Sequence, residues 1–423
     1  MKQYDKYKDS GISWLGEIPE HWETRKIKFV FTERSQKGYP NEQILCSTQS
    51  YGVIPQSMYE NRVVVVNKGF ENLKLVCVGD FVISLRSFQG GIEYAYYRGI
   101  ISAAYTIIRL IDNSLSQEYV KLLFKSHAFI QLLKTCVVGI REGQNINYSI
   151  LKNKFISIPP ISEQHAMVEY VSQKCKKIDK YIQNKEKEIT ALDELKQSII
   201  AETVTKGLDK NVAMKDSDIA WIGKVPEHWK IKRSAMLFQE NKKKNSTLEY
   251  ERAMKFNYGT LVDKNETGEI KELEDTYKNY TILDKNDIVI NCLNLNYDFV
   301  SQRVAISPKR GIITSAYLVL RPRKNTNAHY YNYLLKAMDS MKLFHGMGTG
   351  IRLTLSFDEF KKQLLPIPPL SEQEVIVAYI NSKCEKIDKM KSSIESQITA
   401  LKEYKQRLIS DVVTGKKKVT PEN

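Results

Sequence analysis

His21 and His228 each stand directly before a tryptophan in the motif Trp-[Leu/Ile]-Gly-x-[Ile/Val]-Pro-Glu-His-Trp, at residues 14–22 and 221–229. Imidazole is the side chain best matched to proton transfer near neutral pH, so a histidine in a fixed aromatic setting invites a catalytic reading. The neighbours argue otherwise. Gly16 or Gly223 and Pro19 or Pro226 make a fixed turn that brings the aromatic rings onto one apolar surface. A histidine in such an anchor is expected to be packed or hydrogen-bonded, not catalytic.

Other catalytic signatures are missing from the sequence. There is no G-x-x-x-x-G-K-[ST] phosphate loop and no G-x-G-x-x-G after a strand. There is no Asn-Pro-Pro-aromatic sequence to hold a flipped adenine for methylation; the Ile-Pro-Pro tripeptides ending at Pro160 and Pro369 lack the amide. No Pro-Asp pair exists, so a nuclease site of the P-D…[DE]-x-K kind has no first carboxylate, and Glu194-Leu195-Lys196 is a stray match in a helical segment. The cysteines (Cys46, Cys77, Cys136, Cys175, Cys292, Cys384) form no C-x-x-C pair and no cluster with histidine. Neither a disulfide framework nor a zinc site is expected, only reduced and buried thiols. The expectation is a chain that is not an enzyme, with no cofactor or metal of its own.

The 423 residues suggest two to four domains, and 42% hydrophobic with 27% charged residues is a globular balance. No run approaches the roughly 20 apolar residues of a membrane helix, and no apolar segment follows the polar start, so a cytoplasmic chain is expected, with no membrane partner. The formal charge of +15 calls for an acidic partner, of which nucleic acid is the commonest.

The elements that must position any binding residues come in two copies. Residues 8–22 (KDSGISWLGEIPEHW) and 215–229 (KDSDIAWIGKVPEHW) share ten of fifteen residues at an offset of 207. IPPISEQ recurs as IPPLSEQ, KKIDK as EKIDK and ITAL as ITAL at an offset of 209. Fainter echoes lie between: Gly79-Asp80 against Asn286-Asp287, RGIISAAY against RGIITSAY, and Gly139-Ile140-Arg141 against Gly350-Ile351-Arg352. Each half is thus an opening motif, a divergent body of about 130 residues, and a long closing segment.

The bodies read as mixed α/β. In the first, strand-like runs occupy Arg62 to Val66, Leu73 to Val78, Phe81 to Leu85 and Ala104 to Leu110, followed by a helix near Glu118 to Leu133. The second has the same order: Asp287 to Cys292, Arg303 to Ser307, Tyr317 to Leu320, then a helix near His329 to Leu343. The closing segments start after Pro159-Pro160 and Pro368-Pro369, with Ser162 and Ser371 as N-cap candidates and Glu374 completing a capping box in the second copy; His165 replaces it in the first. A 4,3 spacing runs Val171, Cys175, Ile178, Ile182, Lys185, Ile189, Leu192, Lys196, Ile199, and again from Ile380 through Leu408 with Lys391 and Lys405 on the seam. Two helices of about 65 Å are expected, paired antiparallel with a pseudo-twofold relation between repeats.

The opening WLGEIPEHW, the Gly-Asp turn between strands, the IPP[IL]SEQ helix start and the doubling of the pattern resemble the specificity subunit of type I restriction-modification systems, over nearly the full chain. The resemblance implies an α+β chain of two tandem target-recognition domains, at residues 1–157 and 208–366, with scaffold helices at 158–207 and 367–423. It implies that each domain reads one half of a split sequence in double-stranded DNA, and that the helices fix their separation and dock two methyltransferase subunits. A restriction/translocase subunit joins that core. S-adenosylmethionine, ATP and Mg are then expected on the partner subunits, and the chain itself is non-catalytic.

Loops rich in residues that reach base edges or phosphates are the candidate contacts. In the first body these are Ser47, Thr48, Gln49, Ser50 and Tyr51; Arg86, Ser87, Phe88, Gln89, Gly90 and Gly91; and Arg141, Gln144 and Asn145. In the second they are Asn257, Tyr258 and Thr260; Asn291, Asn294, Asn296 and Tyr297; and Thr349 and Arg352. Arginine suits guanine, Asn and Gln suit adenine, and glycine lets the backbone approach the duplex. The runs Lys242–Lys244 and Lys416–Lys418 are expected to be solvated and at most to touch phosphate. Two other classes of function stand beside this one: a self-sufficient DNA methyltransferase, which would need a cofactor motif, and a coiled-coil adaptor, which would leave the bodies and the charge without a role.

Overall fold

The computed structural model describes residues 3–60, 68–139, 145–264, 275–295, 297–348 and 353–419. The chain forms two compact units, one of residues 1–185 with 395–423 and the other of residues 186–394. Each unit holds an opening motif, a body, and parts of both long helices. The expected run Arg62 to Val66 lies outside the described residues.

Both bodies are built on a four-stranded antiparallel sheet with the same strand order. In the first the order is Phe31–Arg34, Thr106–Leu110, Phe81–Ile83, Glu93–Tyr94; in the second it is Phe238–Glu240, Leu318–Pro322, Ile288–Ile290, Val304–Ile306. Ile107 stands opposite Val82, and Val319 opposite Val289. These β-branched residues are fully or almost fully buried, so the register is set by what each strand must hide from water. A hairpin (Leu45–Thr48 with Gly52–Pro55; Met254–Asn257 with Thr260–Asp263) and a second strand pair complete each body. The buried aspartates of the two inter-strand turns are held alike by arginine forks. Arg34 reaches Asp80 at 2.7 and 3.3 Å, from an edge strand. Arg321 reaches Asp287 at 3.0 and 2.8 Å, from the neighbouring strand.

The helix expected near Glu118 to Leu133 is two helices, Gln117–Lys125 and His127–Lys134. Ser126 separates them in an extended conformation, donating its hydroxyl to Leu123 O at 2.7 Å and accepting from Phe129 N at 3.3 Å. A serine that offers the backbone such bonds competes with the helix ladder. The second body carries one uninterrupted helix, Ala328–Ser340.

The long helices are Ile161–Lys206 and Leu370–Val413, about 69 and 66 Å at 1.5 Å per residue. They start one residue before the serines expected as caps, on the carbonyls of Pro160 and Pro369, which accept from Gln164 N and Gln373 N at 3.0 Å. They pair antiparallel. In the first unit Asp179 meets Lys405 at 2.6 Å; in the second Asp388 meets Lys196 at 2.7 Å, and Asp193 meets Lys391. Ile178, Ile182, Ile394 and Ile398 are buried along the seam, as are Ile380, Cys384 and Ile387. Lys196, Lys391 and Lys405 therefore extend to aspartates of the facing helix instead of adding apolar surface, a device that favours one register over others.

Candidate nucleic-acid interface

The scaffold contacts recur at equivalent residues. Glu163 accepts from Trp22 Nε1 at 3.1 Å and lies 2.6 Å from His21 Nε2; Glu372 accepts from Trp229 Nε1 at 3.1 Å and lies 2.8 Å from His228 Nε2. Trp22 and Trp229 are fully buried. Gln164 and Gln373 close the helix starts, each donating to the proline carbonyl five residues earlier, at 2.7 and 2.9 Å. The helices end on left-handed glycines, Gly415 and Gly207, whose Cα atoms lie against Trp22 and Trp229; a Cβ at Gly207 would sit 3.3 Å from the Trp229 ring. Tyr119 and Tyr330, buried on the body helices, donate to the terminal carbonyls of Val413 at 3.1 Å and Val204 at 2.7 Å. Burial raises the pKa of both phenols, which keeps them donors. The histidines are thus hydrogen-bonded anchors. Of the two tryptophans of the first motif, Trp14 packs edge-on against Phe129 and Trp22 edge-on against Tyr4.

Against this repeated frame the candidate contact loops differ. In the first unit the hairpin turn 48–52 and the single helical turn Ser87–Gly90 come together. Thr48 is buried and structural, its hydroxyl donating to Gly52 O and accepting from Tyr51 N, both at 3.0 Å. Ser47 and Ser87 are turned inward; Ser87 Oγ accepts from Ser84 N at 2.9 Å. Gln49, Ser50, Tyr51, Arg86 and Gln89 remain exposed, Phe88 is half-buried, and Gly91 lies buried against the Phe124 carbonyl, where a side chain would not fit. Asn145 is exposed on a short strand paired with Val138. Arg141 and Gln144 lie outside the described residues.

Sequence reasoning missed what stands behind these loops. Gln49, Tyr51, Tyr94, Tyr96, Lys121 and Lys125 line a cavity of about 320 Å3. Lys121 lies 3.8 Å above the Tyr94 ring and 2.8 Å from Glu118. A lysine one turn into an amphipathic helix carries no sign of this in the sequence; its place beside the buried Val120 and Phe124 is visible only after folding.

In the second unit Tyr258 and Gly259 form a two-residue turn with φ of 45° and 72°, and Tyr258 is 90% exposed at its tip. Thr260 closes that turn, donating to Asn257 O at 2.6 Å. Tyr297 is also exposed, and Asn294 adopts φ of 54°. Their loop is organised from beneath by Arg303, which is fully buried and donates to the carbonyls of Asn291 (3.1 Å), Leu293 (2.6 Å), Asn294 (3.3 Å) and Asp298 (2.6 Å). Asn291 is itself half-buried, its side chain accepting from Leu293 N. Asn296, Thr349 and Arg352 lie outside the described residues. Among the lysine runs, Lys242 pairs with Glu240 at 2.8 Å and Lys417 with Asp411 at 3.0 Å, so part of that charge is met internally.

Among the described residues no helix is long and apolar enough to cross a membrane, and no group of three or more His, Cys, Asp or Glu side chains could hold a metal ion. All six cysteines are free thiols; Cys77 and Cys175 are half-buried and the others buried.

A duplicated scaffold that displays unlike polar loops defines a recognition subunit with two reading heads. Residues 19–191 and 226–400 match the model of the type I restriction modification DNA specificity domain, and the chain belongs to that family. It is 21% identical, over 99% of both chains, to a putative type I restriction enzyme specificity subunit, MjaX, of Methanocaldococcus jannaschii. Its fold is similar to that of a chain from a structural study of complex assembly and conformational transition in the type I R-M system, with a TM-score of 0.65 at 14% identity, covering 94% of this chain and 98% of that one. It is also similar to the HsdS subunit from Thermoanaerobacter tengcongensis, with a TM-score of 0.50 at 15% identity and the same coverage.

Proposed function

We propose that this chain is the non-catalytic, DNA-reading subunit of a type I restriction-modification complex and that each body reads one half of a bipartite site. The observation that carries the reading is the contrast between what repeats and what does not. The Trp–Glu–His anchor, the glutamine cap and the pairs Asp179–Lys405 and Asp388–Lys196 recur at equivalent residues, and a left-handed glycine follows each long helix, whereas the described exposed loops carry different residues on different turns. Reading two different short sequences requires a constant frame and variable contacts. The direct contacts are proposed to be the exposed loop residues, chiefly Gln49, Tyr51, Arg86 and Gln89 in one body and Tyr258, Asn294 and Tyr297 in the other. Thr48, Ser87 and Gly91 support them from inside.

The long helices are proposed to set the distance between half-sites and to dock two methyltransferase subunits, with a restriction/translocase subunit joining the assembly. S-adenosylmethionine, ATP and Mg then belong to those partners. Mapping methylated adenines in host DNA with and without this chain tests the reading. A bipartite motif that disappears with the chain is expected. Methylation by the purified chain alone, or an unchanged methylation pattern, overturns it.

A further inference from the structure

Lys125 ends the helix Gln117–Lys125, and its ammonium group is directed at two of the candidate loops of the first unit at once, 47–51 and 86–91. It pairs with Glu93, whose side chain is only 4% exposed, and donates to Gly90 O at 3.0 Å and Gln49 O at 3.4 Å. The loops also touch without its help: a Cβ on Gly90 would fall 2.6 Å from Gln49 Cδ. Burial pushes the Glu93 carboxyl up while Lys125 opposes that shift, so the carboxylate depends on its partner.

We propose that Lys125 is a positioning residue for recognition by the first unit: it touches no base, but it fixes the separation of loops 47–51 and 86–91 so that side chains from both address one stretch of DNA. Its charge is neutralised by Glu93 and its protons are directed at protein carbonyls, which leaves it unsuited to grip a phosphate. Recognition loops tolerate little displacement, since hydrogen bonds to base edges fail once the donor or acceptor moves by about an ångström. The proposal rests on the reading that these loops contact DNA.

The test uses the full complex with its methyltransferase partners. Lys125→Met combined with Glu93→Gln removes both charges together and leaves no buried charge behind. Methylated sites should become degenerate in one half-site, with discrimination there falling about tenfold or more, while the other half-site is read as before. The salt dependence of duplex binding should not change. A first half-site read as strictly as in the parent overturns the proposal. So does a salt slope lower by about 0.9, which would make Lys125 a phosphate contact. Should the double variant fail to fold, Lys125→Gln decides, because its shorter, uncharged side chain cannot reach Glu93, Gly90 O and Gln49 O together; a strict half-site there also overturns the proposal. Arg86→Ala and Gln89→Ala separate the two levels of inference. If they too leave the half-site intact, the loops do not read DNA; if they alter it while the Lys125 variants do not, only the positioning role falls.

Discussion

Trp22 donates its indole N–H to Glu163 at 3.1 Å across 141 residues of sequence, and Trp229 repeats the bond to Glu372 across 143. The opening motif and the helix start, the two best-repeated segments of the chain, are thus one structural device. It ties the entry of each half to the base of its long helix.

Glu163→Ala should destabilise the first unit by at least about 2 to 3 kcal/mol, since each hydrogen bond to a charged acceptor contributes about 1.5 to 3 kcal/mol and, although His21 is partly exposed, Trp22, His21 and Tyr4 all lose theirs. Glu163→Gln should cost less, because an amide oxygen still accepts one of them. Thermal unfolding of both variants checks this; equal loss for the two would mean that the carboxylate charge, and not acceptor geometry, matters.

Arg303→Ala strands the carbonyls of Asn291, Leu293, Asn294 and Asp298 in a buried site. Each unsatisfied group costs about 1 to 3 kcal/mol, so a loss of at least about 3 kcal/mol is expected even if water replaces some of the bonds. Hydrogen exchange should show faster amides in the loop 291–298 and in the second unit, with the first unit unaffected.

Asp298 accepts from the Ser301 hydroxyl and amide and from Val300 N, with the Arg303 guanidinium nearby, and these hold its carboxyl down to about 2 from 3.8. A depressed folded-state pKa stabilises at pH above the ordinary value and loses that contribution as pH falls through the folded value. Stability of the second unit should therefore decline between about pH 4 and pH 2, and Asp298→Asn should flatten that part of the profile. Asp339, whose carboxyl burial pushes up, works in the opposite sense and is common to both proteins. An unchanged acid profile for the variant would show that the carboxylate is not linked to folding.

Double-mutant cycles on Asp179 with Lys405 and on Asp388 with Lys196 should return similar coupling energies, about 0.2 to 1 kcal/mol each, because the pairs are equivalent and partly exposed. Coupling in both should shrink with added salt. A large coupling in one and none in the other would contradict the equivalence of the two helix pairs.

Much of the scaffold is legible in the sequence because it is repeated there. Trp22 and Trp229, the Ile-Pro-Pro boundaries, the 4,3 spacing from Val171 and from Ile380, and the mixed α/β bodies all follow from local residue types and periodicity, which one chain displays twice. The absence of nucleotide-binding and methyltransferase motifs is equally a property of the sequence. What folding alone decides is which distant residues meet. Glu163 gives no sign in sequence that it will receive Trp22, and the break at Ser126 hides inside a helical pattern. Thr48 and Ser87 read as contact residues by type yet are turned inward. Nothing in the local sequence marks Lys125 or Arg303 as a support beneath the loops. Burial and hydrogen-bond pairing are set by the packing of segments far apart in the chain, and residue type carries only the capacity for them; hence the frame can be read from the sequence, and the support beneath the loops cannot.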